Sequence, residues 1–247
     1  MNVEKDSLTF IYKNPSYSPI RFYSNFDNKL RQQFLETNNL NEVLLNSLQN
    51  KTIKLKHDIF TKNDIKSLKR NILYGDITKQ VDSLEPIALP FPTGKTYSVL
   101  QGNNASFSHN TKESRYALDF KMNIGQEISA VYDGVVVAAI DQYTLGGKDK
   151  RLEQYGNYIT IYHETLGTYS TYFHLKHNGS IVKPGQKIKQ NQIIGYSGHT
   201  GYSTEPHLHF VYYKPDKDIG LASIPFVFKN GTRSTDLKKY MKVTHIE

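Results

Sequence analysis

From Thr96 to Tyr213 the chain is broken into short runs rich in Val, Ile, Tyr and Thr, bounded by Gly and Asn. They fall at 96–101, 116–121, 127–140, 158–163, 168–174, 188–196 and 207–213. β-Branched and aromatic side chains fit a pleated, half-buried surface better than a helix. Many short strands separated by turn residues build an antiparallel sandwich or barrel. The expected fold class is therefore mainly β, with a two-sheet antiparallel β-sandwich or barrel domain preceded by a small β or α+β module. An aromatic content carried by Tyr and Phe, with no Trp, points the same way.

In the N-terminal region Leu8, Phe10 and Tyr12 alternate, a turn cluster occupies 14–19, and 20–24 reads as a second strand. Residues 40–48 are compatible with a helix, 52–57 alternate again, and 63–70 read as a helix capped by Asn63. Pro86, Pro90, Pro92 and Gly94 interrupt regular structure. They read as the link between an accessory module, residues 1–85, and a second domain, residues 86–247. Within the latter, Ile124-Gly125-Gln126-Glu127-Ile128 resembles Pro184-Gly185-Gln186-Lys187-Ile188. A duplicated hairpin and a shared turn chemistry account for this equally well.

The formal charge of +8 favours a polyanionic partner. The excess is spread along the chain, and no Lys/Arg run or RNA-type aromatic motif marks a nucleic-acid face, so nucleic acid is not expected. Residues 1–11 lack the apolar stretch of a signal peptide, and no window approaches a membrane span. With no Cys, any metal must be held by His and carboxylate.

His207 and His209 stand two apart in Pro206-His207-Leu208-His209-Phe210. On a strand both imidazoles face one way and Leu208 and Phe210 the other. One ring is then free to bind a metal while its neighbour addresses a water or substrate there. A catalytic zinc takes three protein ligands and leaves a position for water. His109 and Asp119 are the remaining candidates, because a carboxylate between Leu118 and Phe120 is costly to bury without a partner. His163 and His177 read as exposed loop positions, and His199 as a turn residue near the site. Leu145-Gly146-Gly147-Lys148 has no phosphate-binding pattern and reads as a border of the substrate groove.

Several of these pieces, in order, resemble the LytM/lysostaphin-type zinc metallopeptidases, which are peptidoglycan endopeptidases on a compact two-sheet β fold. The pieces are Ser108-His109, Tyr116 to Phe120, Tyr155-Gly156-Asn157, Tyr172-Phe173-His174-Leu175, Pro184-Gly185-Gln186, and Ser197 to Phe210. The resemblance implies one Zn2+ per chain held by His109, Asp119 and His209, with His174 and His207 as unligated active-site histidines. It departs in one place: nine residues separate His109 from Asp119, where the family's commonest form has three, and Arg115 fills the close position.

The activity implied is hydrolysis of peptide cross-links or stem peptides of peptidoglycan by a metal-activated water. His207 would be the general base, and His174 would stabilise the oxyanion or share the proton transfer. A monomer working in the periplasm or outside the cell follows, with an export signal that this sequence does not carry. Two other classes compete: a noncatalytic wall-binding or regulatory member of the same fold, and a carrier or phosphotransfer domain built on Gly-Gln hairpins. The carrier lacks a lysine at the Tyr132-Asp133-Gly134 turn.

Overall fold

A computed structural model describes residues 1–79, 81 and 85–246. Two compact units, Met1–Thr78 and Lys79–Glu247, divide the chain.

The first unit holds two three-stranded antiparallel sheets. In one, Ser7–Lys13 lies between Asn2–Val3 and Asn50–Lys56. In the other, Ile20–Asn25 lies between Glu42–Leu45 and Lys69–Tyr74. A helix, Lys29–Thr37, starts at Asn28, whose side chain accepts the Arg31 N–H. It makes this unit α+β. Leu8, Phe10, Leu35, Leu40, Val43 and Leu45 form its core. Residues 40–48 are not helical: Val43 and Leu45 alternate inward from a strand. The helix after Asn63 is a single turn, Asp64–Ser67, without a side-chain cap.

The second unit is mainly β and antiparallel, as the short Val/Ile/Tyr/Thr runs require. Its main sheet runs in the order Lys187–Ile188, Gly134–Ile140, Tyr158–His163, Thr168–Phe173, His207–Asp216, Leu118–Lys121, Thr96–Gln101 and Lys242–Thr244, with Gly220–Ser223 paired to His207–Asp216. A smaller sheet pairs Ile193–Ser197 with Leu175–Ser180 and Glu127–Ser129. Aromatic rings meet edge to face in the core, with centroids 5.3 Å apart for Phe91–Phe120, 5.5 Å for Phe210–Phe226 and 5.2 Å for Phe226–Phe228.

The proline-rich stretch is part of this core. Ile87, Leu89 and Phe91 are buried, and the Ile87 N–H and C=O bond to Val227 O and Lys229 N. The prolines end regular structure while the apolar residues between them pack, a combination that composition alone reads as a spacer.

The Gly-Gln repeat is turn chemistry. Gly125 and Gly185 both have φ near +87°, and the Gln126 and Gln186 side chains accept the N–H of Asn123 and Lys183. The same turn recurs at 189–192, with Asn191 at φ 65° and Gln192 accepting from Lys189. It recurs in the first unit at 46–49, with Leu48 at φ 56° and Gln49 accepting from Asn46. A motif shared by unrelated hairpins needs no duplication.

His163 is not on an exposed loop. It is wholly buried, 2.9 Å from Asp133 O through Nδ1 and 2.9 Å from Ser170 Oγ through Nε2, in a chain that continues to Tyr172 and the Val131 N–H. Burial pushes it down to about 4. Between pH 6.5 and 4 the unfolded chain therefore binds a proton that the folded ring refuses, so stability falls as pH drops through that window. The expected contribution is about 3 kcal/mol. Urea midpoints of the parent and of His163→Gln, measured from pH 7.5 to 4, check it: the parent should show the steeper loss, and parallel curves would contradict it.

Candidate metal centre and active site

The floor of the site is a strand pair. His209 faces Asp119 directly across the ladder, with Phe173 opposite on its other side, and His207 faces Lys121. Leu208 and Phe210 are wholly buried in the opposite layer, so the two-residue period turns His207 and His209 to one face. His209 Nδ1 lies 2.7 Å from Asp119 Oδ1.

His109 reaches the same carboxylate from the loop between Thr96–Gln101 and Leu118–Lys121. The loop folds back on itself through Asn104 N to Arg115 O, Asn103 Nδ2 to Ala117 O, and Ser114 Oγ to Ser108 O. These bonds place His109 Nε2 3.3 Å from Asp119 Oδ1 and 3.3 Å from His209 Nδ1. The His109 Nδ1–H donates to Gly102 O at 2.8 Å, which leaves the Nε2 lone pair for a ligand. Arg115 is exposed.

His174 and His207 stand beside this triangle, with ring centroids 4.6 Å apart and His174 5.8 Å from His209. Both take their orientation from one loop, residues 198–206. The His174 Nδ1–H donates to Thr200 O at 2.7 Å and the His207 Nδ1–H to Glu205 O at 2.7 Å. Each ring therefore presents an Nε2 lone pair, and that of His207 lies 3.9 Å from Asp119 Oδ1. Ser203 Oγ donates to Glu205 O, lies 3.3 Å from His207 Nδ1 and accepts from His199 Nδ1 at 2.9 Å.

Close backbone approach fixes this loop. Gly201 and Tyr202 pair in parallel with Gly146 and Gly147. A Cβ on Gly146 would come 1.6 Å from His199 O, and Gly201, at φ +78°, would place one 2.7 Å from Gly156 Cα. The Leu145–Lys148 segment is thus a backing for the loop.

The electrostatics follow from burial and mutual charge. Burial opposes the charge on Asp119, but the charges that His207 and His209 carry when protonated, and the hydrogen bonds that protonated His109 and His209 donate, outweigh it, and its pKa lies well below the ordinary carboxylate range. Burial also works against protonated His109, yet the bond and charge of Asp119 raise its pKa. Burial lowers His209. Burial, then repulsion from His207 and His209, pushes His174 down to about 3, so it is neutral near pH 7.

The five residues singled out in the sequence, His109, Asp119, His174, His207 and His209, thus meet in one place. Among the described residues, His109, Asp119 and His209 are the group whose ligand atoms converge closely enough to hold a metal ion. Zinc bonds of about 2.0–2.1 Å put tetrahedral ligand atoms about 3.3–3.4 Å apart, and the observed separations of 3.3, 3.3 and 2.7 Å approach that triangle. Thr200 and Ser203 escaped the sequence reading because their partners lie on chain segments that only the tertiary fold brings together.

Residues 113–220 match the profile of peptidase family M23. An uncharacterized metalloprotease of Buchnera aphidicola subsp. Baizongia pistaciae is 37% identical over 76% of this chain and 49% of its own length. Glycyl-glycine endopeptidase ALE-1 of Staphylococcus capitis is 42% identical over 39% of this chain and 24% of its own. Peptidoglycan DD-endopeptidase ShyA of Vibrio cholerae is 43% identical over 37% and 18%. The chain spans about half, or less, of the length of these relatives. Asp119, His174, His207 and His209 lie inside the matched segment, and His109, four residues ahead of it, folds onto them. Through that segment, which brings the cluster together, the chain is similar to peptidase family M23.

Proposed function

We propose that this protein is a zinc-dependent endopeptidase that hydrolyses peptide cross-links or stem peptides of bacterial peptidoglycan. Residues 86–247 would do the chemistry and residues 1–85 would serve as an accessory module. The observation that carries this reading is the triangle of His109 Nε2, Asp119 Oδ1 and His209 Nδ1, flanked by two imidazoles that each present a free Nε2. The relatives named as a glycyl-glycine endopeptidase and a peptidoglycan DD-endopeptidase support the substrate class. Peptidoglycan lies outside the cytoplasmic membrane, so the place of work is periplasmic or extracellular. Among the described residues no helix is long and apolar enough to cross a membrane. All five side chains come from one chain, so a monomer suffices.

The donor set fits zinc: two imidazole nitrogens and a carboxylate oxygen, with no thiolate, is the type found in hydrolytic centres. Bound to these three residues, zinc supplies a Lewis acid and lowers the pKa of a water to about 7. The remaining chemistry belongs to the chain. His207, its Nδ1–H tied to Glu205 O, accepts the proton of the attacking water at Nε2. His174 is an acceptor of the same kind at rest. Once protonated at Nε2, either ring becomes a donor to the oxyanion or to the leaving amine. The bonds to Thr200 O and Glu205 O keep these rings from turning.

The parent should hold about one zinc per chain by elemental analysis and lose activity to a strong chelator. His109→Ala, Asp119→Ala and His209→Ala should each lose most of the metal. Full occupancy in any of them would remove that residue from the ligand set, and a metal-free parent would favour a noncatalytic wall-binding protein.

His207→Ala and His174→Ala should keep zinc while turnover on a soluble peptide falls about a hundredfold to ten-thousandfold. Zinc loss in His207→Ala would mean that the roles of His207 and His209 are exchanged. The bond cleaved is read by digesting purified walls of several chemotypes and identifying new termini by mass spectrometry. Fragments ending in glycine or in a D-amino acid are the expected outcomes, and no release from any wall by zinc-loaded protein would defeat the proposal.

A further inference from the structure

His174 sits at φ 62°, in the left-handed region that a residue with a large side chain enters only at a cost. Something must hold it there, and the nearest hydrogen bonds converge on Asn157. This residue is wholly buried, and its amide is fully used. Nδ2 donates to Tyr143 O at 2.8 Å and is shared with Lys176 O at 3.2 Å and Leu175 O at 3.3 Å, while Oδ1 accepts the Tyr143 N–H at 3.0 Å. Its backbone O accepts the Leu175 N–H at 3.2 Å, and its backbone N–H donates to Thr200 Oγ1 at 3.0 Å.

Thr200 closes the circuit. Its hydroxyl donates to Leu175 O at 2.7 Å, so that carbonyl, one residue beyond His174, is held by both Asn157 and Thr200. Its own carbonyl is the acceptor for His174 Nδ1. The residue after His174 is thus fixed at its N–H by Asn157 and at its C=O by Asn157 and Thr200, and the Thr200 carbonyl decides which ring nitrogen of His174 carries the proton. Tethering both is what keeps Nε2, as a lone pair, turned toward the His207 and His209 rings.

We propose that Asn157, acting through Thr200, is a positioning residue that holds His174 in its left-handed backbone conformation with Nε2 free to take a proton. The inference rests on the reading of His174 as part of the reaction, and its experiment separates the two. The full chain is loaded with zinc and compared as parent, Asn157→Ala, Thr200→Val and Thr200→Ser. Zinc content, kcat and KM on a soluble peptide, and the ring-nitrogen signals of 15N-labelled histidine are measured, with His174 assigned by its absence in His174→Gln.

The expected result is full zinc in all four and a His174 that is wholly Nδ1–H in the parent but a mixture of tautomers in Thr200→Val and Asn157→Ala. In those two variants kcat should be on the order of tenfold to a hundredfold lower, with KM changed less than about twofold. Thr200→Ser, which keeps the hydroxyl, should restore both signals and kcat. If Asn157→Ala fails to fold, Thr200→Val carries the decision. An unchanged His174 tautomer, or a changed one with kcat within about threefold of the parent, overturns the positioning role. A parent without turnover on any peptide overturns the reaction, while the nitrogen signals still judge the circuit.

Discussion

A buried negative charge organises the second unit. Asp119 sits mid-strand between Leu118 and Phe120, both wholly buried, where an unpaired carboxylate would be very costly. The strand register delivers His209 across the ladder, and the loop ahead of the strand delivers His109 to the same oxygen. Removing either partner would leave the carboxylate undercompensated, so the position of the loop and the pairing of the strands are energetically linked. The two-ring, one-carboxylate arrangement is a consequence of solving that problem within a β sheet.

Two loops on the same face then divide the work. The one before Asp119 contributes a donor atom, and its bonds are mostly internal. The 198–206 loop contributes carbonyls, which set the tautomers of both flanking histidines. It is held by backbone contact with Gly146 and Gly156, so close that a Cβ on Gly146 or Gly201 would not fit. The two flanking imidazoles are therefore oriented from behind by main chain, which has fewer ways to relax than side chain.

Some of this was legible in the sequence because it depends on local period. The two-residue alternation of His207 and His209 against Leu208 and Phe210 predicts one shared face, and the apolar neighbours of Asp119 predict a carboxylate in need of partners. What failed depended on tertiary burial. His163 ends a strand beside Glu164 and looks exposed, yet Ser170 and the Asp133 carbonyl enclose it. The Pro86–Pro92 stretch looks like a spacer because its prolines are conspicuous and the burial of Ile87, Leu89 and Phe91 is not. Helix Lys29–Thr37 has a mostly polar surface, with Leu35 its only fully buried residue, so it leaves little periodic signal. Residues 40–48 satisfied a helical spacing over too few turns to exclude a strand.

The distance between His109 and Asp119 along the chain has a consequence for how such sites change over time. The entropy of closing a loop grows only with the logarithm of its length, so widening the gap from three residues to nine costs about 1 kcal/mol before any internal contact forms. The bonds that Asn103, Asn104 and Ser114 make within the loop offset a cost of that size. The spacing of His109 on such a loop is thus nearly free to drift by insertion, whereas the Asp119–His209 pairing is locked by strand register, where a one-residue slip would turn one of the two side chains to the wrong face. Insertions should accumulate ahead of the strand and be purged within it, so that the loop can change length while the cluster of two rings and one carboxylate is kept.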